Sequence, residues 1–392
     1  MRQASRRAGV RPRPHVALLV ETSLASGRDI LRGIARYVRE HDPWALYHEP
    51  HSLEESVPAW LKRWRGDGII ARVQSRRMAE MLAATGIPVI DVLGVVPKLP
   101  FPLVHVDDTA IARLAADHLI GRGMRRFGYF GIEGENWSEA RYAGFCTAVA
   151  AFQAQVPVYR VSRDTGGRRS WERAENKLAR WVAALPKPSG VLVCSDQRGA
   201  QFLEACRRAN VVVPDEIAVI SVDNDEPLCE VCQPALTSIE PGHEAVGYRA
   251  AEALARFMRS GPNARMRVFV EPRQVVTRGS TDVVAVDDAS VATALRIIRE
   301  HAHQGIRVDA IAQAVGVSRS VLQRRFRALL KRSLHQELLA TRIRHARELL
   351  LYTALPLAAV AERAGFKHQE YMGAVFRDRL GRTPAQVRDE SA

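Results

Sequence analysis

Four polar side chains stand close together in VDAIAQAVGVSRSVLQRRF, residues 308–326: Arg319, Ser320, Gln323 and Arg324. With the chain helical beyond Ser318, Leu322 and Phe326 fall four apart on an inner face and these four remain outside it. Arginine and glutamine form forked hydrogen bonds with base edges, arginine with guanine and glutamine with adenine. The flanking spacing is that of a helix-turn-helix. Ala312 is small enough for two helices to cross closely, Gly316 permits a left-handed turn, and Ser318 is placed to cap the second helix. Residues 357–376, LAAVAERAGFKHQEYMGAVF, repeat the arrangement through Ala361, Gly365, Phe366, Met372 and Phe376, with one extra residue in the turn. There Gln369 and Glu370 are the candidate base readers, and Lys367 and His368 the candidate phosphate contacts. A single such pattern also occurs in helical bundles, including dimerisation bundles; two in tandem point to DNA.

An element must hold the two units apart. Leu334, Leu338, Ile343, Ala346 and Leu350 form one apolar stripe, which predicts a helix from about Ser333 to Tyr352. At 1.5 Å per residue it is about 30 Å long, close to a DNA turn of about 34 Å. Two recognition helices at its ends can enter successive major grooves on one face.

The distribution of charge agrees. The 392 residues carry a formal net charge of +14. Residues 1–13 contribute +5, residues 286–392 contribute +7, and the 272 residues between them only +2. A near-neutral body joined to a basic end suggests an input domain attached to a polyanion-binding one. The expected organisation is a basic disordered tail over 1–14, a body over 15–285 and a DNA-binding domain over 286–392.

The body reads as alternating strand and helix. Short apolar runs predict strands at 15–20, 67–73, 87–94, 103–107, 125–132, 156–161, 190–196 and 217–223, separated by amphipathic stretches. Such alternation means parallel sheets with right-handed crossovers. Roughly ten strands are too many for one compact sheet, so two lobes are expected, with a ligand between them where strands end.

Other chemistry lacks its signature. No GxGxxG follows a strand, and GxxxxGK[ST], GxSxG and HExxH are absent. No spacing of Asp and His singles out a catalytic set, so no enzyme activity is expected. Cys229 and Cys232 form a lone CxxC without partners, and neither a metal nor a cofactor is expected. No apolar run approaches the length of a membrane span, and the basic N-terminus lacks a signal-peptide core, so a cytoplasmic location is expected.

Residues 291–390 resemble the AraC-type DNA-binding domain, on the double helix-turn-helix and the ending GFKHQEYMGAVFRDRLGRTPAQVR. Met372 stands where that family usually has Phe, and Gly373 and Ala374 stand where it often has polar readers. This suggests weaker base readout by the second unit. The body resembles the LacI/periplasmic-binding-protein-like sensor, on RYAGF, on DDTAIARLAADHLIGRGMRRFGYFG and on SVDNDEPLCEVCQPALTSIEPGHEAVGYRAAEAL. Only about fourteen residues precede the first strand, too few for the N-terminal DNA-binding headpiece of ordinary LacI repressors. The combination is similar to the xylose-operon type of regulator. It implies a two-lobed α/β periplasmic-binding-protein-like domain followed by an all-α domain with two helix-turn-helix motifs.

The resemblance also implies a sugar site of Trp137, Arg141, Trp171, Asp196 and Asp223. Arg and Asp can take adjacent hydroxyls in forked, charge-assisted bonds, and a Trp face covers the C–H side of a sugar. Ser195 replaces an Asn usual in that family. Asp107 is read only as a helix cap. The implied function is a DNA-binding regulator of a sugar-utilisation operon, answering to a pentose, with xylose expected. The implied partners are operator DNA, a second copy of the chain and, for an activator, RNA polymerase. The alternatives are a regulator whose body binds a non-sugar ligand or serves only dimerisation, and a soluble sugar-binding protein.

Overall fold

The computed structural model describes residues 13–41, 43–48, 59–162, 168–261, 263–283 and 288–389. The basic segment 1–14 therefore lies almost wholly outside the described residues. The chain forms two compact units that divide between Val283 and Val284.

The first unit has two lobes. The chain begins the N lobe with β1 (His15–Leu19), α1 (Ala25–Glu40), β2 (Ala45–His48), β3 (Gly68–Ala71), α2 (Arg76–Ala83), β4 (Val89–Asp91) and β5 (Leu103–Val106). It then crosses into the C lobe through α3 (Asp108–Gly121), β6 (Phe127–Ile132), α4 (Asn136–Val149), β7 (Val158–Val161), α5 (Arg168–Ala184), β8 (Ser189–Val193), α6 (Asp196–Arg208), β9 (Ile217–Val222), α7 (Glu226–Val231) and β10 (Thr237–Glu240). It returns through α8 (His243–Ser260) and β11 (Arg267–Val270), and crosses a third time into β12 (Gln274–Val276). The N-lobe sheet has the order β11-β5-β4-β3-β1-β2 and the C-lobe sheet β12-β10-β9-β8-β6-β7. All pairings are parallel except β10 with β12.

The central strands are buried on both faces and mostly apolar because helices cover both. Every residue of SGVLV in β8 and IAVISV in β9 is buried. The N-lobe core gathers Leu19, Ile69, Leu82 and Phe101, and the C-lobe core Phe130, Leu178, Phe202 and Ile217. Helix starts are fixed locally: Ser75 accepts a bond from the Met78 N–H, and Asp107 one from the Ala110 N–H. Asp107 is thus the helix cap read from the sequence.

His118 of α3 ties the helix to the end of the unit, with Nε2 2.8 Å from Thr281 Oγ1. Burial, aided by the nearby Arg122 charge, pushes its imidazole down to about 4 from an ordinary 6.5. The unfolded chain therefore binds the extra proton first as pH falls. The stability tied to a neutral His118 is complete above its unfolded value and is lost as pH falls from there toward about 4. Melting temperatures at about pH 7.5 and about pH 5 should therefore differ more for wild type than for His118→Gln. Equal differences contradict this assignment.

The second unit is all helical: α9 (Ala289–His301), α10 (Val308–Val315), α11 (Arg319–Leu330), α12 (Leu334–Tyr352), α13 (Leu357–Arg363), α14 (Gln369–Leu380) and α15 (Pro384–Asp389). It has two cores, one for each helix pair. Ile298, Ile311, Leu322, Phe326, Leu334 and Leu338 form the first, and Leu339, Ala346, Leu350, Phe366, Met372 and Phe376 the second. The single helix α12 supplies residues to both. Its 19 residues, begun by a Ser333–Gln336 capping box, span about 28 Å at 1.5 Å per residue.

Candidate functional site

The cleft between the lobes of the first unit holds a cavity of about 330 Å³. The C lobe presents Ile132, Glu135, Trp137, Arg141, Ser195 and Asp223 from the ends of β6, β8 and β9 and from α4. The N lobe faces them with Ser26, Arg72, Leu93 and His105, and His243 closes the site at the start of α8. Ligand groups thus collect where parallel strands end.

Arg141 is the centre of the arrangement. It is 3% exposed, donates through Nε to Asp108 Oδ1 at 2.8 Å, and through Nη1 to the Cys194 carbonyl at 2.5 Å. These bonds engage Nε and Nη1 and fix the guanidinium, and the residue lines the cavity. Burial alone would raise the Asp108 carboxyl, but the Arg141 guanidinium and His105 outweigh it and hold the acid below its usual range. The pair is therefore ionised. The Trp137 ring lies 4.9 Å from the Arg141 guanidinium, and its indole N–H donates to Glu135 at 3.0 Å. Asp223 also lines the cavity, with its Oδ1 3.3 Å from His243 Nε2. Burial keeps His243 below the usual histidine range despite that carboxylate.

The structure therefore brings Trp137, Arg141 and Asp223 to one cavity. Trp171 lies on α5, but its side chain is outside the described residues. Asp196 requires a correction. It is 2% exposed and does not line the cavity. Its Oδ1 accepts from the Ser221 and Ser238 hydroxyls, and its Oδ2 from the Asp225 N–H at 2.7 Å. Burial, together with the Asp223 charge, pushes it up to about 7. Its position after a strand suggested a ligand, but the folded chain sets it beneath the β9 loop as a brace.

Sequence reasoning missed the N-lobe half of the site. Arg72 pairs with the fully buried Glu21 and also donates to Ser26 at 3.1 Å. Arg72 Nε, Glu21 Oε2, His105 Nδ1 and His243 Nδ1 are buried without a hydrogen-bond partner. Buried polar atoms are ordinarily satisfied, and three of these residues, Arg72, His105 and His243, line the cavity. The available signal was positional, since Arg72 and His105 lie at the ends of β3 and β5. Ser195 caps α6 without a side-chain capping bond and lines the cavity.

Burial pushes the Cys194 and Cys206 thiols up to about 12. Among the described residues no group of three or more His, Cys, Asp or Glu side chains is placed to hold a metal ion. No described helix is long and apolar enough to cross a membrane.

In the second unit, Gly316 ends α10 with φ 77°, and the Ser318 hydroxyl accepts from the Val321 N–H to start α11. Arg319, Ser320 and Arg324 are exposed and Gln323 is half-buried on that helix. Arg319 Nη1 lies 2.9 Å from Asp309 Oδ1. In the second motif Gly365 has φ 80°, and a Cβ there would come within 2.1 Å of the Ala302 carbonyl oxygen. Only glycine meets both demands. Lys367 and His368 lie exposed in the turn, and Gln369 and Glu370 in the exposed first turn of α14. Met372 is fully buried in the second core, so it replaces an aromatic side chain without leaving the interior. Gly373 has open space where a Cβ would stand, and Ala374 is exposed.

Comparison with known proteins agrees with both halves. The XylR N-terminal domain matches residues 15–105, the periplasmic binding protein-like domain residues 116–281, and the helix-turn-helix domain residues 311–390. The xylose operon regulatory protein of Escherichia coli K12 is 30% identical over 388 residues, covering 96% of this chain and 97% of that protein. The protein of the same name from Haemophilus influenzae is 26% identical over 381 residues, covering 95% and 97%. A solved structure described as the xylose-binding transcription activator xylR aligns with a TM-score of 0.80 at 29% identity, over 97% of this chain and 99% of that one. A two-lobed sensor and a double helix-turn-helix thus occur in the same order and over nearly the same length as in these relatives. The chain belongs to the xylose operon regulatory protein family of transcription regulators.

Proposed function

We propose that the chain is a xylose-responsive activator that binds operator DNA as a dimer and recruits RNA polymerase in the cytoplasm. Residues 15–285 sense the sugar and residues 286–392 read the DNA. One observation carries the reading: a polar cavity lined by Arg141, Asp223 and Trp137 shares a chain with two helix-turn-helix units. Two relatives are xylose operon regulatory proteins, and one solved relative is described as xylose-binding. Arg141 and Asp223 take sugar hydroxyls, and Trp137 covers a C–H face. Arg72, His105 and His243 complete the site from the other side. Arg319, Ser320, Gln323 and Arg324 read bases from α11. Gln369 and Glu370 read from α14, and Lys367 and His368 hold phosphate.

Sugar that contacts both lobes favours the closed form by its difference in affinity for the two forms. Calorimetry of the full chain with D-xylose, D-ribose and a purine nucleoside tests the sensor. Heat of binding with D-xylose is expected. Binding of the purine alone would replace this reading with a sensor for a non-sugar ligand.

A further inference from the structure

Asp223, Asn224 and Asp225 follow β9 with an uncommon backbone. Asp223 has φ 114° and Asn224 φ 49°. Such conformations are costly for residues other than glycine and persist where the surroundings hold them. The holding groups are all polar. The Asp225 N–H donates to Asp196 at 2.7 Å, the Asn224 N–H to Ser238 Oγ at 3.0 Å, and Arg278 Nη2 to Asn224 Oδ1 at 3.0 Å. So held, the loop turns Asp223 toward the cleft and Asp225 toward the other lobe.

Asp225 caps α7 by position, yet its carboxylate makes no capping bond. It meets Arg28 of α1 instead, with Nη2 3.2 and 3.3 Å from its two oxygens. Arg28 also donates through Nη1 to the Thr22 and Ser23 carbonyls, each at 3.1 Å. Those carbonyls belong to the segment between β1 and α1, which carries the cleft residue Leu24. One guanidinium thus joins a cleft-facing loop of the N lobe to a cleft-facing loop of the C lobe. Neither Arg28 nor Asp225 lines the cavity. Both line a separate groove that meets it at Asp223 and His243.

We propose that Arg28 and Asp225 form a clasp between the lobes that sets the sugar affinity of the cleft without touching the sugar. The proposal rests on the sugar reading of the cleft. A contact between lobes forms only when they are together, so it adds to the closed population, and apparent affinity scales with that population. Arg28 is 38% and Asp225 15% exposed in their side chains, which makes the effect several-fold rather than total.

The test is a double-mutant cycle on the full chain: wild type, Arg28→Ala, Asp225→Ala and the double variant. It is read by calorimetry with D-xylose and by small-angle scattering without sugar. Each single variant should raise the dissociation constant about three- to tenfold, and the double no further than the weaker-binding single. Arg28→Ala should also show a larger radius of gyration than wild type. Single variants with wild-type affinity and radius overturn the clasp, as does a double variant whose loss is the product of the two single losses. A wild-type chain that gives no heat with D-xylose contradicts the sugar reading instead, and scattering alone then decides the clasp.

Discussion

Arg141→Ala is expected to abolish sugar binding and to destabilise the first unit as well. The side chain is 3% exposed and its guanidinium is the ionic partner of the buried Asp108. Removing one member of a buried pair leaves the other charge uncompensated, at a cost of about 3–5 kcal/mol. Loss of sugar binding in this variant alone would therefore not separate recognition from folding. The double variant Arg141→Met with Asp108→Asn removes the stranded charge. It should recover most of the lost stability in denaturant unfolding and still give no heat with D-xylose. Wild-type sugar affinity in the double variant would show that Arg141 is not a ligand residue.

The second large effect belongs to α11. Arg324→Ala should weaken binding to the preferred DNA sequence by about 1–3 kcal/mol and relax the preference at one base pair. Lys367→Ala should weaken all sequences about equally and reduce the dependence on salt by about one phosphate contact. Competition binding over a set of single-base operator variants, at two salt concentrations, separates the two. Uniform weakening by Arg324→Ala would reassign that residue to phosphate. Arg319 already has an anion, Asp309, but both side chains are well exposed. Exposed pairs contribute at most about 1 kcal/mol, so DNA can displace Asp309.

Much of this architecture is legible in the sequence, for physical reasons. The runs that became β8 and β9 are buried throughout and mostly apolar because both faces are covered. The turn glycines Gly316 and Gly365 and the cap Ser318 are fixed by backbone geometry that few residues satisfy. What escaped the reading lacks such patterning. β2 and β11 are edge strands with partly or fully exposed residues, and β10 and β12 are only 4 and 3 residues long. The strands at 15–20 and 217–223 end slightly earlier in the fold, at Leu19 and Val222.

The cleft was legible only by halves. Trp137 and Arg141 share one helix and are four apart, so helical spacing presents them together. Arg72 and His105 sit at strand ends of the N-lobe sheet, and His243 joins them only when the chain returns from the C lobe at α8. Asp196 was misread because position at a strand end does not reveal which donors lie beneath it. Three donors engage its carboxylate, and that removes it from the cavity.

In the proposed function one chain couples a sugar cleft to a DNA reader. The most direct test is the affinity of the full chain for DNA fragments it selects from a random pool, measured with and without D-xylose and a panel of pentoses and hexoses. D-xylose is expected to shift that affinity, and the double variant at Arg141 and Asp108 to bind the same DNA without the shift. No change in DNA affinity with any sugar of the panel would contradict it.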